Sequence, residues 1–506
     1  MAKKYYSGIF WIFVFMCSCY KEIEVPQSVL SEYDYQLYFN NMPVAFDMDR
    51  KMILCSVNPE DLGEWEVQIK SSEVNVLAIE GTGLTSDNKF FFNSIDTHKP
   101  YPVTLRLPGN IIAQYILQFT TLPLLQIFTE NQIPDEPEVP AWIIISSGIQ
   151  QEKMKTSYIG IERRGGSNYG RPKHSFKIEF WDDEYESGHT NPDLFGLTPD
   201  DDWILDAMYI DKARMRNRLS FDIWEDIQKD RLTDFNIRKT GVDGVLVELF
   251  VNNNFLGIYH FSESIDGKQL DIQPPREQVE GVIYKALEWD APTMYTGLYE
   301  LNDQVEWGGW KLVYPKDYVD TAWYPLYNYL DFAINSTDEN FTRHIFDYID
   351  INSIIDYYIL LNISVAGDNW GKNIILTRSS SISPFLFLPW DMDGTWGRGW
   401  DSTCTSSNAI LANNLYNRLF QLNPFEFKQK LVDRWEYLKM DVLKEFAVTN
   451  RIEMYREIYA ESGAFDREKI LWPEMNLDLS GEVEYMKDWI HKRIGFLNEY
   501  FDSLEE

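Results

Sequence analysis

VAGDNWGKNIILTRSSSISPFLFLPWDMDGTWGR, residues 365–398, is the stretch from which the rest of the chain is read. Two short apolar runs, IILT and FLFL, flank a serine-rich SSSISP segment, which predicts a β-hairpin. Asp368 and Asn373 precede the first run, and Asp391 and Asp393 follow the second. The hairpin would therefore carry both polar groups to one end of a sheet. A carboxylate and an amide, joined by a second carboxylate after an apolar strand, offer hard oxygen ligands for a cation held against phosphate. Upstream, INSIIDYYILLNISVAG (351–367) is almost wholly apolar and predicts a buried helix that delivers Asp368 at its end.

Working outward, IGIERRGGSNYGRPKHSFKIEF (159–180) predicts strand, glycine-rich turn, strand. Arg163, Arg164, Arg171, Lys173 and Lys177 gather there in an otherwise acidic chain. Glycines and a serine beside such residues can cradle phosphate, although a basic hairpin is also a common solvated face. Between 201 and 229, Met215, Leu219, Ile223 and Ile227 recur every four residues, so an amphipathic helix is predicted with Asp211 as its N-cap. VLVELFVNNNFLGIYHFSESI (245–265) predicts a hairpin turning at Asn252–Asn254, with Glu263 leaving its second strand. GVIYKAL (281–287) predicts a further strand. Beyond Trp400 the apolar spacing is helical to the end of the chain.

The chain has 506 residues and a net charge of −33. That field repels nucleic acid and anionic lipid, so neither is an expected direct partner. Residues 20–123 hold seven short strand-like runs between turn signals, which predicts a small β-sandwich of immunoglobulin-like shape serving as a spacer or binding module. Residues 124–506 form the second domain. Residues 1–19 carry Lys3 and Lys4, a short apolar run and Cys17-Ser18-Cys19, the pattern of a secretory signal with a bacterial lipoprotein box. Cys19 is the expected lipidation site; a signal cleaved without lipidation is the other reading. Four cysteines without a CxxC pair, and six scattered histidines without HExxH, exclude a disulfide scaffold and a zinc hydrolase of that type.

From about Leu124 onward the chain resembles the CotH spore-coat kinase family. RRGGSNYGRPKHSFKIEF, RMRNRLSFD, VNNNFLGIYHFSESID, GDNWGKN and PWDMDGTWGR follow the family's motifs in order. The resemblance implies an atypical protein-kinase-like domain in an α+β chain, with ATP and Mg²⁺ or Mn²⁺ as cofactors and Ser or Thr of a secreted or surface protein as acceptor. It implies Asp368 as catalytic base, and Asn373, Asp391 and Asp393 as metal ligands or their support. Arg164 and Lys173 would hold phosphate, with Lys177 the rival lysine, and Glu263 would lie near the nucleotide. The protein would be exported and lipid-anchored to the outer membrane or cell surface. A catalytically degenerate lipoprotein acting as a binding or scaffold module is the alternative.

Overall fold

A computed structural model describes residues 37–72, 74–148, 154–165, 170–232, 239–270, 272, 280–302, 304–315 and 319–504. The signal segment with Cys19, and the turn residues 166–169, lie outside the described residues.

Residues 37–120 form two sheets around one apolar cluster. The first has four strands in the order Met42–Pro43, Leu37–Phe39, Trp65–Ser71 and Lys89–Phe92. The second has six strands, with Ile111–Thr120 between Met52–Ser56, to which it runs parallel, and Tyr101–Leu107. Alternating residues of both sheets, among them Phe39, Val67, Leu105 and Phe119, meet inside. This unit is docked on the rest of the chain and is not a free spacer. Asp47 accepts the Phe255 amide at 3.2 Å, and the Gly148 amide reaches Ser56 Oγ at 3.0 Å. Ala45, Met52 and Leu54 pack with Leu124, Phe250 and Phe255.

The next seven strands close into a barrel: β1 (Leu124–Phe128), β2 (Val139–Ser146), β3 (Met154–Arg164), β4 (Ser175–Trp181), β5 (Asp202–Asp206), β6 (Gly244–Val251) and β7 (Asn254–Glu263). Closure comes from β1 running parallel to β6, with Leu124 opposite Glu248. Ile127, Ile143, Ile159, Ile178, Leu205 and Phe261 fill the interior. Their partners one residue away point outward, as the period of two requires. The β6–β7 turn places Asn252 and Asn253 at φ 48° and 56°, the left-handed conformation that asparagine tolerates. The strand β5 is unexpected: its residues lie directly before the predicted helix, and one apolar triplet carries too little pattern to separate the two.

The helix α1 (Arg216–Gln228) follows. Asp211 Oδ2 accepts the amides of Met215 and Arg216 at 2.6 Å each, so it satisfies the helix start from four residues upstream. A second, antiparallel sheet contains β8 (Val282–Ala286), β9 (Glu306–Trp307), β10 (Trp310–Tyr314), β11 (Ile374–Arg378) and β12 (Leu386–Pro389), in the order β9-β10-β8-β11-β12. The predicted hairpin is β11–β12, with Ile374 opposite Pro389. The helix α2 (Ile351–Ser364) is buried along nearly its whole length and ends at Val365, at φ 50°. Residues 390–413 form turns and irregular loop, and the helical stretch expected beyond Trp400 begins at Asn414: α3 (Asn414–Leu422), α4 (Phe427–Lys439), α5 (Glu445–Ser462), α6 (Ala464–Leu471) and α7 (Leu479–Asp502). The chain is thus an α+β protein. Cys55 and Cys404 are both free.

Candidate active site

The barrel and the second sheet face each other across a cleft of about 400 Å³. That lies within the roughly 300–1,000 Å³ of small-molecule sites. The barrel contributes Arg164 from the end of β3, Asp206 from the end of β5, and His260 and Ser262 from β7. The helix α1 contributes Asn217 and Phe221. The second sheet contributes Lys285 from β8, and the hairpin ends contribute Asn373, Trp390, Asp391 and Asp393.

The two ends of the hairpin meet as their spacing predicts. Asn373 Nδ2 lies 3.4 Å from Asp391 Oδ2. Both residues have φ 54°, left-handed conformations just before β11 and just after β12 that bound the hairpin at this end. Asn369 fixes this geometry from behind. Its buried amide donates to Trp390 O at 2.7 Å and to Asn373 O at 3.2 Å, so one side chain ties both strand ends. The Asn373 amide donates to Ala286 O at 2.9 Å, which locks the turn to β8. Asn217 links the other side: its Oδ1 accepts the Met392 amide at 2.9 Å and its Nδ2 donates to Asp206 Oδ2 at 3.1 Å. Arg216, buried, reaches Thr395 O at 3.1 Å and Glu482 at 2.9 Å, so it orients the same loop without touching the cleft.

The charges in the cleft are mutually unbalanced. Burial raises the Asp391 carboxyl, Lys285 opposes the rise, and Asp206 adds to it. Burial pushes Asp393 well above the usual carboxylate range, with Asp391, Asp206 and Asp211 adding to it. Buried oxygen donors that repel one another more than the nearby cations offset are what a hard divalent cation neutralises, and Asn373 adds a neutral oxygen to the set. Among the described residues, the triplets whose ligand atoms already lie within 4.8 Å of one another are elsewhere: Glu138–Glu179–Asp202 and Glu179–Glu186–His189. The cleft carboxylates are more open than that, which suits Mg²⁺ held by one or two carboxylates and completed by phosphate and water.

Cations line the same cleft. Arg164 and Lys285 approach the Trp390 ring at 5.6 and 4.8 Å from its centroid, and Arg171 lies over Tyr209 at 5.4 Å. Burial, then the nearby Arg164, lowers the Lys285 ammonium to about 7. Lys372 also lines the cleft. Asp368 lies on the far side of the acidic pair. It borders a second pocket of about 300 Å³ with Trp400, Asp401 and Thr403, and Asp391 and Asp393 line both cavities. Burial raises the Asp368 carboxyl, with Lys372 opposing.

Besides Asp368, three sequence-predicted residues do not line the cleft. Lys173 is fully buried; its Nζ donates to Glu468 Oε1 at 2.7 Å and to Ile258 O at 2.5 Å. Glu468 also accepts Arg214 Nε at 2.8 Å and the Ile258 amide at 2.9 Å. Its approach requires Gly257, at φ 93°, since a Cβ there would lie 1.9 Å from Glu468 Oε2. Lys173 is therefore a barrel-to-helix tie and not a phosphate ligand. Lys177 points out of the barrel, because its neighbours Phe176 and Ile178 point in, and pairs with Glu138 and Asp202 at 2.8 and 2.9 Å. Glu263 pairs with Lys239 at 2.7 Å and accepts the Thr198 and Asp243 amides at 2.9 Å each. The sequence reading missed Asp206, His260 and Lys285. Lys285 had a signal, a cation amid the apolar VIY and A of a predicted inner strand. Asp206 and His260 had none that separates them from ordinary strand residues.

A cleft that brings cations and hard oxygen donors together, with a carboxylate beyond them, could hold a phosphorylated ligand with a cation. The family model described as CotH kinase protein matches residues 161–497, and the chain belongs to that family. Inner spore coat protein H of Bacillus subtilis (strain 168) is 24% identical over 290 residues, which cover 55% of this chain and 70% of that protein.

Proposed function

We propose that the chain is an atypical kinase that transfers the γ-phosphoryl group of ATP to a Ser or Thr hydroxyl of a protein, with Mg²⁺ or Mn²⁺. The carrying observation is the acidic pair Asp391–Asp393, which borders a cation-lined cleft on one side and the Asp368 pocket on the other. Arg164, Arg171, Lys285 and Lys372 face the phosphates. Asn373, Asp391 and Asp393 hold the metal, with Asp206 beside them. A divalent cation held there would supply the charge that neutralises phosphate oxygens. The acceptor hydroxyl enters from the second pocket and gives its proton to Asp368, whose raised carboxyl suits a base. The new P–O bond forms as the bond from the γ-phosphorus to the β–γ bridging oxygen breaks, and ADP leaves. The signal-like residues 1–19 and the spore-coat name of the relative support a location outside the cytoplasm, with Cys19 as the membrane anchor. Among the described residues no helix is long and apolar enough to cross a membrane.

The test is metal-dependent phosphate transfer from ATP to a Ser/Thr protein acceptor or to the chain itself. Asp391→Ala is expected to abolish metal-dependent ATP binding. Asp368→Asn is expected to keep ATP binding and lose about 10²–10⁴-fold in transfer, the usual worth of a positioned base. Wild-type protein that binds ATP without any turnover would leave a binding module in place of an enzyme.

A further inference from the structure

One loop carries both the acidic pair and a wall of the Asp368 pocket. Residues 391–396 hold Asp391 and Asp393, and residues 397–405 supply Gly399, Trp400, Asp401, Thr403 and Thr405 to the pocket. The two halves are anchored to different elements. The Met392 amide donates to Asn217 Oδ1 of α1 at 2.9 Å, and Arg216 Nε of α1 donates to Thr395 O at 3.1 Å. Trp396 completes this set: its indole N–H reaches Ser220 Oγ of α1 at 2.8 Å, and its amide reaches Ser364 O of α2 at 2.8 Å. The metal half is thus tied to α1 and α2.

The other half is tied to α7. It folds back on itself, closed by the Thr405 amide on Gly397 O and the Gly399 amide on Thr403 O at 2.9 Å each. Glu482, Tyr485 and Trp489 share one face of α7, being three and four residues apart, and all three meet the base of this loop. Tyr485 Oη donates to Gly397 O at 2.6 Å, Trp489 Nε1 donates to Thr405 O at 3.0 Å, and Arg398 Nε donates to Glu482 Oε2 at 3.2 Å. The approach is close enough to require glycine: Gly397 has φ 94°, and a Cβ there would lie 2.8 Å from the Tyr485 ring and 3.0 Å from the Trp489 ring. Ser402 Oγ adds one tie, to Ile210 O at 2.6 Å. Held in this way, the loop presents Trp400, 60% exposed, at the Asp368 pocket. An indole held out in water offers a polypeptide a large apolar contact with a polar edge, which is why such rings are enriched where chains meet.

We propose that residues 397–405 are the wall against which the acceptor polypeptide binds, with Trp400 as its contact, and that Tyr485 and Trp489 are positioning residues that set the fit of the acceptor without acting on nucleotide or metal. The assignment rests on the kinase reading of the two pockets and adds to it the element that selects the acceptor. The full chain is assayed with Mg·ATP and two acceptor probes, dephosphorylated casein and histone. Tyr485→Phe combined with Trp489→Phe keeps an aromatic ring at each place and removes both donors to the loop. Glu482 is left intact because it also holds Arg216. The expected result is an acceptor KM raised about 3- to 10-fold, the net worth of a hydrogen bond, with KM for ATP unchanged. Trp400→Ala should likewise raise the acceptor KM and leave that for ATP where it was. A merely structural role for the α7 residues would lower kcat through a smaller folded fraction and move neither KM. That outcome, or equal rises in both KM values, overturns the positioning by α7. An unchanged acceptor KM in Trp400→Ala overturns the loop as the acceptor wall and leaves the kinase reading standing. Wild-type protein that transfers phosphate to neither probe nor itself overturns the kinase reading and this assignment together.

Discussion

Lys285 shows how one side chain in this cleft can report on another's charge. Its ammonium is lowered to about 7 by burial and by Arg164, so above that pH the ligand-free protein holds it neutral. A phosphate oxygen at the same place favours the charged form and raises the value. Nucleotide binding at pH 8 should therefore take up a proton at Lys285, and affinity should weaken as pH climbs above 7. Metal binding to Asp391 and Asp393, both raised, releases protons and acts in the opposite sense. The variant Lys285→Arg separates the two, since arginine stays charged throughout. Calorimetry at pH 8 in buffers of different ionisation enthalpy should show the wild type taking up close to one proton more than Lys285→Arg; no difference would remove Lys285 from the phosphate contact.

At the level of elements, the hairpin β11–β12 was legible from residues 374–389 because short apolar runs and a serine turn are local signals. The meeting of its two ends was legible for the same reason: Asn373 and Asp391 sit at paired strand ends. Lys173 was misread because a lysine's partner is a property of the fold. Glu468, which neutralises it, comes from a helix 295 residues away. The strand β5 and its Asp206 were hidden by the helix that follows. Equally silent in sequence is the tie at Asn369, whose amide serves two carbonyls at once. Asn369→Ala leaves Asn373 O and Trp390 O to find other donors, at about 1–3 kcal/mol for each buried acceptor left unpaired. Urea denaturation should show a loss of about 2–6 kcal/mol on that basis. Metal-dependent ATP binding should fall more than the stability loss explains, because the two ligand-bearing turns are no longer held in register. A variant with full stability and full binding would show that β8 alone holds the turns.

Across the whole molecule, the N-terminal sheets, the barrel and the C-terminal helices are joined by buried charge. Arg467 of α6 holds Glu248 of the barrel by two contacts of 2.8 Å and reaches Phe119 O of the N-terminal unit at 3.3 Å. Next to it in sequence, Glu468 binds Lys173 and Arg214. Burial alone would raise the Glu468 carboxyl, but Lys173 and Arg214 outweigh it and hold it below the usual range. Breaking a buried pair on one side costs about 3–5 kcal/mol, so Lys173→Met should lower the unfolding free energy by about that much. The folded fraction of that variant should bind nucleotide normally; lost binding at full stability would return Lys173 to the phosphates. The same arrangement sets an order of events during synthesis. Lys173 and Arg214 leave the ribosome well ahead of Glu468, which follows them by 295 and 254 residues. Contacts of such separation form late and slowly. The barrel must then wait, with its buried cations unanswered, until almost the last helix has been made. A message cut short before α6 yields a chain that cannot finish its own β-structure, and cellular proteolysis can discard it before it presents a half-built cleft.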